Sequence, residues 1–136
     1  MTDIEAGFYF SLILTENSSQ QKLFSCGNNS FGQLGVNNTN DSSIFIQVIT
    51  PFSDRIIQIS SGNSFSLLLT SKNQVWSWGD NNYGQLGLGS FYPFYPLMQL
   101  INYLGNITKI QTGYHYSLFL KNTKEVYSVG YNNVNF

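Results

Sequence analysis

The sequence predicts an all-β fold, a partial β-propeller of four-stranded antiparallel blades, and three observations predict it. The first is repetition. Phe24-Ser25-Cys26-Gly27-Asn28-Asn29-Ser30-Phe31-Gly32-Gln33-Leu34-Gly35 returns as Trp76-Ser77-Trp78-Gly79-Asp80-Asn81-Asn82-Tyr83-Gly84-Gln85-Leu86-Gly87 and begins again at Tyr127-Ser128-Val129-Gly130-Tyr131-Asn132-Asn133. Gly27 and Gly79 stand 52 positions apart and Gly79 and Gly130 stand 51 apart, so one structural unit recurs at a nearly fixed period. The second is the texture within a unit: short β-branched and aromatic runs bounded by Gly, Asn, Ser and Lys, with no sustained 3.6-residue periodicity. The third is that several runs are apolar on both faces. Val75, Trp76 and Trp78 point both ways from one strand, as expected of a sheet packed between two others. Radially stacked blades supply that environment and leave only short protected edges.

The elements follow in order. Ile4 precedes Gly7-Phe8-Tyr9-Phe10-Ser11-Leu12-Ile13-Leu14, which matches Gly62-Asn63-Ser64-Phe65-Ser66-Leu67-Leu68-Leu69 and Gly113-Tyr114-His115-Tyr116-Ser117-Leu118-Phe119-Leu120. Ile4, Ile59 and Ile110 each stand three places before the glycine. Gly7 to Gly62 is 55 positions where Gly62 to Gly113 is 51, and the excess falls between Leu14 and Phe24. A three-residue loop insertion within residues 15–21 is the expectation. Phe24 opens the next strand, and Ile44-Phe45-Ile46-Gln47-Val48-Ile49 is a further one, loosely echoed by Pro96-Leu97-Met98-Gln99-Leu100-Ile101. Between them Arg55–Ser60, Phe65–Thr70 and Gln74–Trp78 read as strands, with Ser71-Lys72-Asn73 suited to a tight hairpin. About four strands per unit result. The approximate units are 4–58, 59–109 and a truncated 110–136, about two and a half repeats in a single repeat domain.

The motif residues Gly27, Gly32, Gln33, Leu34, Gly35, Trp78, Gly79, Gly84, Gln85, Leu86, Gly87 and Gly130 are expected to be structural. Recurring glycines suit a chain that turns sharply between strands, and Gly84 and Gly87 would let Leu86 drop into the core. The asparagines after Gly27, Gly79 and Gly130 are expected to shape turns through local side-chain bonds and tolerance of left-handed backbone.

Ser77 to Gly87, with Gly-x-x-x-Ser-Leu-Leu-Leu ahead of it, resembles the repeat of the regulator of chromosome condensation family. The similarity covers nearly the whole chain. It implies a propeller of about seven blades, and it implies departures here too: Phe65 and Tyr116 stand where such repeats often carry a histidine before the serine, and His115 sits one residue early. Seven such units need more than twice the 136 residues present, so this chain is not expected to close a ring alone. It is expected to be a piece of a longer polypeptide or one of several copies assembling through open apolar blade faces.

Composition narrows the function classes. Hydrophobic residues make up 42% and aromatics 16%, enough for a packed core, while the 10% charged residues are few against the usual quarter. A net charge of −1 with no Lys/Arg cluster gives no footprint for direct nucleic-acid binding. The run from Gly7 to Leu14 follows Asp3 and Glu5 instead of lysines, and no stretch reaches the ~20 apolar residues of a membrane-spanning helix. Cytosol or nucleus is the expected location, with no membrane partner.

Chemistry is sparse. One histidine and one cysteine cannot build the usual Cys/His metal cluster, and Asp41, Asp54, Asp80 and Glu125 are scattered without paired spacing. Cys26 occupies the position of Trp78 and Val129 and is expected to be a small buried apolar residue. Gly84-Gln85-Leu86-Gly87 lacks the Gly-Lys-Ser/Thr ending of a phosphate-cradling loop. No catalytic residue, cofactor or metal is expected.

The expected function is a protein-interaction scaffold whose rim loops carry the contacts. Tyr92, Phe94 and Tyr95 form the candidate partner-binding loop, since aromatic rings give large contact area at low entropy cost, with packing between blades as the alternative use of the same side chains. The resemblance also implies a small GTPase as a candidate partner, the chain then being part of a guanine-nucleotide exchange factor for a Ran-like GTPase. No long insertion that could wedge into a GTPase lies between Gly62 and Gly130, so exchange activity is not carried over to this segment. A third reading is a propeller segment of a larger multidomain protein such as a ubiquitin ligase.

Overall fold

A computed structural model describes residues 3–18 and 20–132. The chain runs as eleven strands: β1 (Asp3–Ala6), β2 (Phe10–Asn17), β3 (Gln20–Gly27), β4 (Ser42–Val48), β5 (Ile56–Ser61), β6 (Phe65–Thr70), β7 (Val75–Asp80), β8 (Phe94–Leu100), β9 (Ile107–Thr112), β10 (Tyr116–Lys121) and β11 (Val126–Gly130). They form three antiparallel sheets in simple up-and-down order, β1-β2-β3-β4, β5-β6-β7-β8 and β9-β10-β11. This is the partial propeller of the sequence reading: two full blades and a three-stranded third among the described residues.

The blades stack because each buries the alternate side chains of its neighbour. Phe10, Leu12, Leu14 and Leu23 of the first sheet pack with Ile59, Leu68 and Trp78 of the second. Phe65, Leu67, Leu69 and Val75 on the other face of the second sheet pack with Ile107, Ile110 and Phe119 of the third. Strand β6 is buried along its whole length, since the middle blade has a neighbour on each side. Removing so much apolar surface from water, at roughly 25 cal/mol per Å2, is the main force holding the stack.

Polar side chains stitch the inner strands β1, β5 and β9 to one another. The Gln58 amide donates to the Ile110 carbonyl at 2.7 Å and accepts from the Ile110 N–H at 2.9 Å. Ser60 Oγ accepts from the Thr112 N–H at 3.2 Å, and Glu5 accepts from the Ser61 N–H at 3.3 Å. Burial pushes the Glu5 carboxyl above the usual carboxylate range, and its Ser61 hydrogen bond only partly offsets this. Further out, the hydrogen bond from Arg55 is the largest of the influences that hold Glu16 down at about 2.

Two local expectations change. The surplus residues between Leu14 and Phe24 are strand, not loop: Thr15 pairs with Lys22, Glu16 with Gln21 and Asn17 with Gln20, so β2 and β3 continue as a longer hairpin. Extending a ladder satisfies the added backbone groups that a loop would leave to water. Cys26 is half-buried and not fully enclosed. It faces away from the second sheet, on the side where its counterpart Trp78 is covered by the first.

Candidate functional site

The connections fall on two opposite faces of the stack. Phe10 pairs with Gly27, Phe65 with Gly79 and Tyr116 with Gly130, which puts the turns 7–9, 62–64 and 113–115 beside the long loops 28–41 and 81–93 and the residues after Gly130. This end is called the loop face. The other end holds the hairpins β2–β3, β6–β7 and β10–β11 and the links between blades, and is called the hairpin face.

The repeated motif builds the long loops. Glycines 27, 79 and 130 leave their strands at φ of 113°, 101° and 113°, a region closed to most side chains, and a Cβ at Gly79 would collide with Ser64 and Phe65. Asp80 and Asn81 then organise everything that follows. Asp80 Oδ2 accepts from Gln85 Nε2 at 2.8 Å, and Gln85 Oε1 accepts from the Tyr83 N–H at 2.9 Å. Asn81 Oδ1 accepts from the Leu86 N–H at 3.2 Å while its amide donates to the Ser90 and Tyr92 carbonyls at 3.1 and 2.9 Å. The first blade repeats the scheme with Asn28, Asn29 and Gln33, and Asp41 accepts the Asn29 N–H at 2.7 Å. Leu34 and Leu86 are fully buried, and Ser25 and Ser77 each donate a hydroxyl to the leucine carbonyl below, at 2.8 and 3.0 Å. Trp78 Nε1 donates to the Gln33 carbonyl at 2.8 Å, tying the second blade's strand to the first blade's motif.

The asparagines therefore act through side-chain bonds, whereas the left-handed backbone in these loops falls on Gly32, Gly35, Gly84, Gly87 and Gly89 and on Asn37. Asn133 of the third motif copy lies outside the described residues.

On this scaffold the loop face carries a belt of aromatic rings. Phe8 touches Tyr9 with centroids 4.4 Å apart and reaches Tyr114 at 5.7 Å, across the middle blade. Tyr114 meets His115 at 4.5 Å, His115 meets Tyr83 at 4.7 Å, and Tyr83 meets Tyr131 at 4.9 Å. Backbone bonds hold the axial turns in line: the Phe8 N–H donates to the Asn63 carbonyl at 3.3 Å and the Asn63 N–H to the Tyr114 carbonyl at 3.1 Å. Phe8, Tyr9, Tyr83, Tyr114 and Tyr131 are each at least 47% exposed, so the belt is surface and not core. His115 is half-buried, and its Nδ1 is enclosed without a hydrogen-bond partner.

Tyr92, Phe94 and Tyr95 lie on the same face, at its outer rim. Tyr92 and Phe94 are exposed. Tyr95 leans on the second core and donates its hydroxyl to Ser90 Oγ at 2.7 Å, with the Tyr92 ring 6.1 Å away. Between rim and belt runs a crevice of about 580 Å3 lined by Asn81, Tyr83, Phe91, Tyr103 and Val129 among others. Of the belt residues only His115 was remarked on from the sequence, as a displaced histidine; the belt itself escaped because its members come from three separate repeats. The signal that could have found them is variation at fixed repeat positions: after Gly7, Gly62 and Gly113 come Phe8, Asn63 and Tyr114, a turn position that is aromatic twice.

Among the described residues no group of three or more His, Cys, Asp or Glu is placed to hold a metal ion. No helix is long and apolar enough to cross a membrane.

Comparison with known proteins bears on this arrangement. The model of the regulator of chromosome condensation (RCC1) repeat matches residues 21–69 and 72–120, and a second model of the same repeat matches 1–33 and 56–85. The ultraviolet-B receptor UVR8 of Arabidopsis thaliana is 37% identical over 89 residues, covering 65% of this chain and 20% of that protein. A human protein called RCC1-like G exchanging factor-like protein is 27% identical over 142 residues, covering 92% of this chain and 31% of its own length. Human E3 ubiquitin-protein ligase HERC2 is 30% identical over 131 residues, covering 93% of this chain and 3% of its own. The chain thus spans a third or less of these relatives. Among solved structures, human WBSCR16 superposes with a TM-score of 0.84 at 20% identity, covering 95% of this chain and 32% of that one. Prp20p of Saccharomyces cerevisiae gives 0.83 at 24%, covering 94% and 32%, and its structure was described with its binding to Gsp1p and histones. With both repeat motifs built as described and the repeat model matching most of the chain, this protein belongs to the RCC1 repeat family.

Proposed function

We propose that this chain is a protein-interaction scaffold of RCC1-type propeller repeats and that it binds its partner with the loop face. The observation that carries the reading is the belt: five exposed aromatic side chains and His115, drawn from three repeats into one continuous strip on hydrogen-bonded turns. Aromatic side chains are the commonest energetic anchors of protein interfaces, and turns fixed by the blades lose little entropy when a partner orders them. The rim residues Tyr92, Phe94 and Tyr95 extend the same contact area. The segment itself performs no catalysis in this reading.

A photo-crosslinking residue placed at Tyr114 or Tyr9 of the protein as expressed in its source cells tests this. The expected result is covalent capture of a discrete protein in the source cells from these positions and not from Lys72 on the hairpin face. Equal yield from Lys72 overturns it.

A second reading has support in the human relative named as a G exchanging factor, which aligns with 92% of this chain. In it the chain is part of an exchange factor for a Ran-like small GTPase, and the full-length protein accelerates release of a fluorescent guanine nucleotide from such a GTPase. A third makes the chain part of a larger ubiquitin ligase, the activity for which HERC2 is named. Each makes the loop face the docking surface of a larger machine. The outward apolar faces of the first and third blades are further proposed to mediate self-association. A cytosolic or nuclear location suits all of these readings.

A further inference from the structure

We propose that the aromatic belt receives a lysine- or arginine-bearing segment of the partner protein; this deepens the scaffold reading and rests on it. The argument starts from where the charges sit. All six cations, Lys22, Arg55, Lys72, Lys109, Lys121 and Lys124, lie in the hairpin half of the stack. None is on the loop face. Two of the acids on the hairpin side are neutralised by ion pairs, Glu16 with Arg55 and Asp54 with Lys72.

Among the described residues, Asp41 in the first long loop and Asp80 at the base of the second have no such partner. Asp80 receives only the neutral amides of Gln85 and Asn82, and Asp41 only the Asn29 N–H and the Asn28 amide. Hydrogen bonds of this kind hold a carboxylate in place without cancelling its charge. A chain with a net charge of −1 is therefore polarised, negative toward the belt and positive toward the hairpins. Asp80 ends β7 three residues before Tyr83, at the base of the loop that carries that ring, so the uncompensated charge lies on the belt side of the blade.

Ring faces and negative potential together favour one kind of ligand. Tyrosine and phenylalanine present electron-rich faces that attract ammonium and guanidinium groups. This chain makes such a contact at its other end, where Lys121 Nζ stands 4.9 Å from the centre of the Tyr127 ring. A single-stranded nucleic acid would also stack on aromatic rings, but it needs cations along the groove for its phosphates, and the loop face has none. An acidic peptide would meet like charge. A basic segment meets neither obstacle, and its attraction is screened by salt.

The test uses the full chain and three labelled probe peptides of one Gly-Ser framework, bearing five Lys/Arg, five Glu or five Leu. Fluorescence anisotropy is expected to show the basic peptide binding most tightly and weakening as salt rises. Hydrogen exchange is expected to slow at residues 7–9, 81–84 and 113–115. Tyr9→Lys, at a ring that is 70% exposed, is expected to weaken the basic peptide about tenfold, while Tyr9→Phe leaves it unchanged; circular dichroism checks that both fold. Equal or tighter binding of the Glu or Leu peptide overturns the inference, as does a Tyr9→Lys chain that binds the basic peptide like the parent. Either result, obtained while Tyr114 still crosslinks a partner in cells, removes the charge preference and leaves the scaffold reading standing.

Discussion

Trp78 shows how one residue can hold a blade interface in two ways. Its ring is wholly enclosed among the side chains between the first two sheets, and its Nε1 donates to the Gln33 carbonyl at 2.8 Å. Trp78→Ala removes both and is expected to cost ~3–5 kcal/mol of folding stability. Trp78→Phe keeps most of the apolar volume but strands the Gln33 carbonyl, a buried acceptor, and is expected to cost ~1–3 kcal/mol. Urea titration of the two variants separates the contributions. A Trp78→Phe chain as stable as the parent would show that the indole N–H contributes nothing net. The sequence displayed Trp78 as a strand residue of a two-faced run, so its burial could be expected; the Gln33 bond could not, because it joins residues of different repeats.

At the scale of the element, the long loop after β7 is held by Asn81. Its side chain closes three bonds, from the Leu86 N–H and to the Ser90 and Tyr92 carbonyls, so it ties both ends of the loop to one centre. Asn81→Ala leaves those groups to compete for water and is expected to cost ~1–3 kcal/mol, with faster amide exchange confined to residues 81–93. Uniform faster exchange over the whole chain would instead mean that the loop and the core unfold together. Strands were legible from the sequence because period and composition are local: Phe65–Thr70 was read with both ends as they stand, and the neighbouring runs shifted by a residue or two. The extension of the β2–β3 hairpin was read as loop because its residues, Thr15 to Gln21, are polar, and only the ladder shows that their backbone is paired. Tyr92, Phe94 and Tyr95 drew attention as the most anchor-like aromatic group in a single rim loop. The belt escaped because Phe8 and Tyr114 become neighbours only when two blades flank a third.

On the scale of the whole molecule, the stack ends in two unlike faces, and repetition makes them complementary. Leu118 and Tyr116 of the third sheet occupy the places of Leu12 and Phe10 in the first and of Leu67 and Phe65 in the second, all four of which are buried against a following blade. In the third sheet no blade follows among the described residues, and Leu118 is partly exposed and Tyr116 43% exposed. On the opposite end, Phe24 and Cys26 of the first sheet stand where Trp76 and Trp78 pack against the blade before them, and Ile4 beside them is exposed. The last face of one copy therefore resembles the surface that the first face of another is shaped to cover. Such a contact is head-to-tail, and it leaves a free face at each end of every assembly. The chain is expected to sediment above its 15.4 kDa monomer mass, increasingly so with concentration. Leu118→Lys and Phe24→Lys should each suppress this alone, since one charged face breaks every contact. Mixed in equal amounts, the two variants should recover a 1:1 dimer and nothing larger, because each retains the face the other has lost. A mixture that stays monomeric, or variants that associate as the parent does, would rule out the head-to-tail contact. A symmetric pairing of like faces would instead leave each variant forming dimers through its intact face, a pattern the same sedimentation runs distinguish.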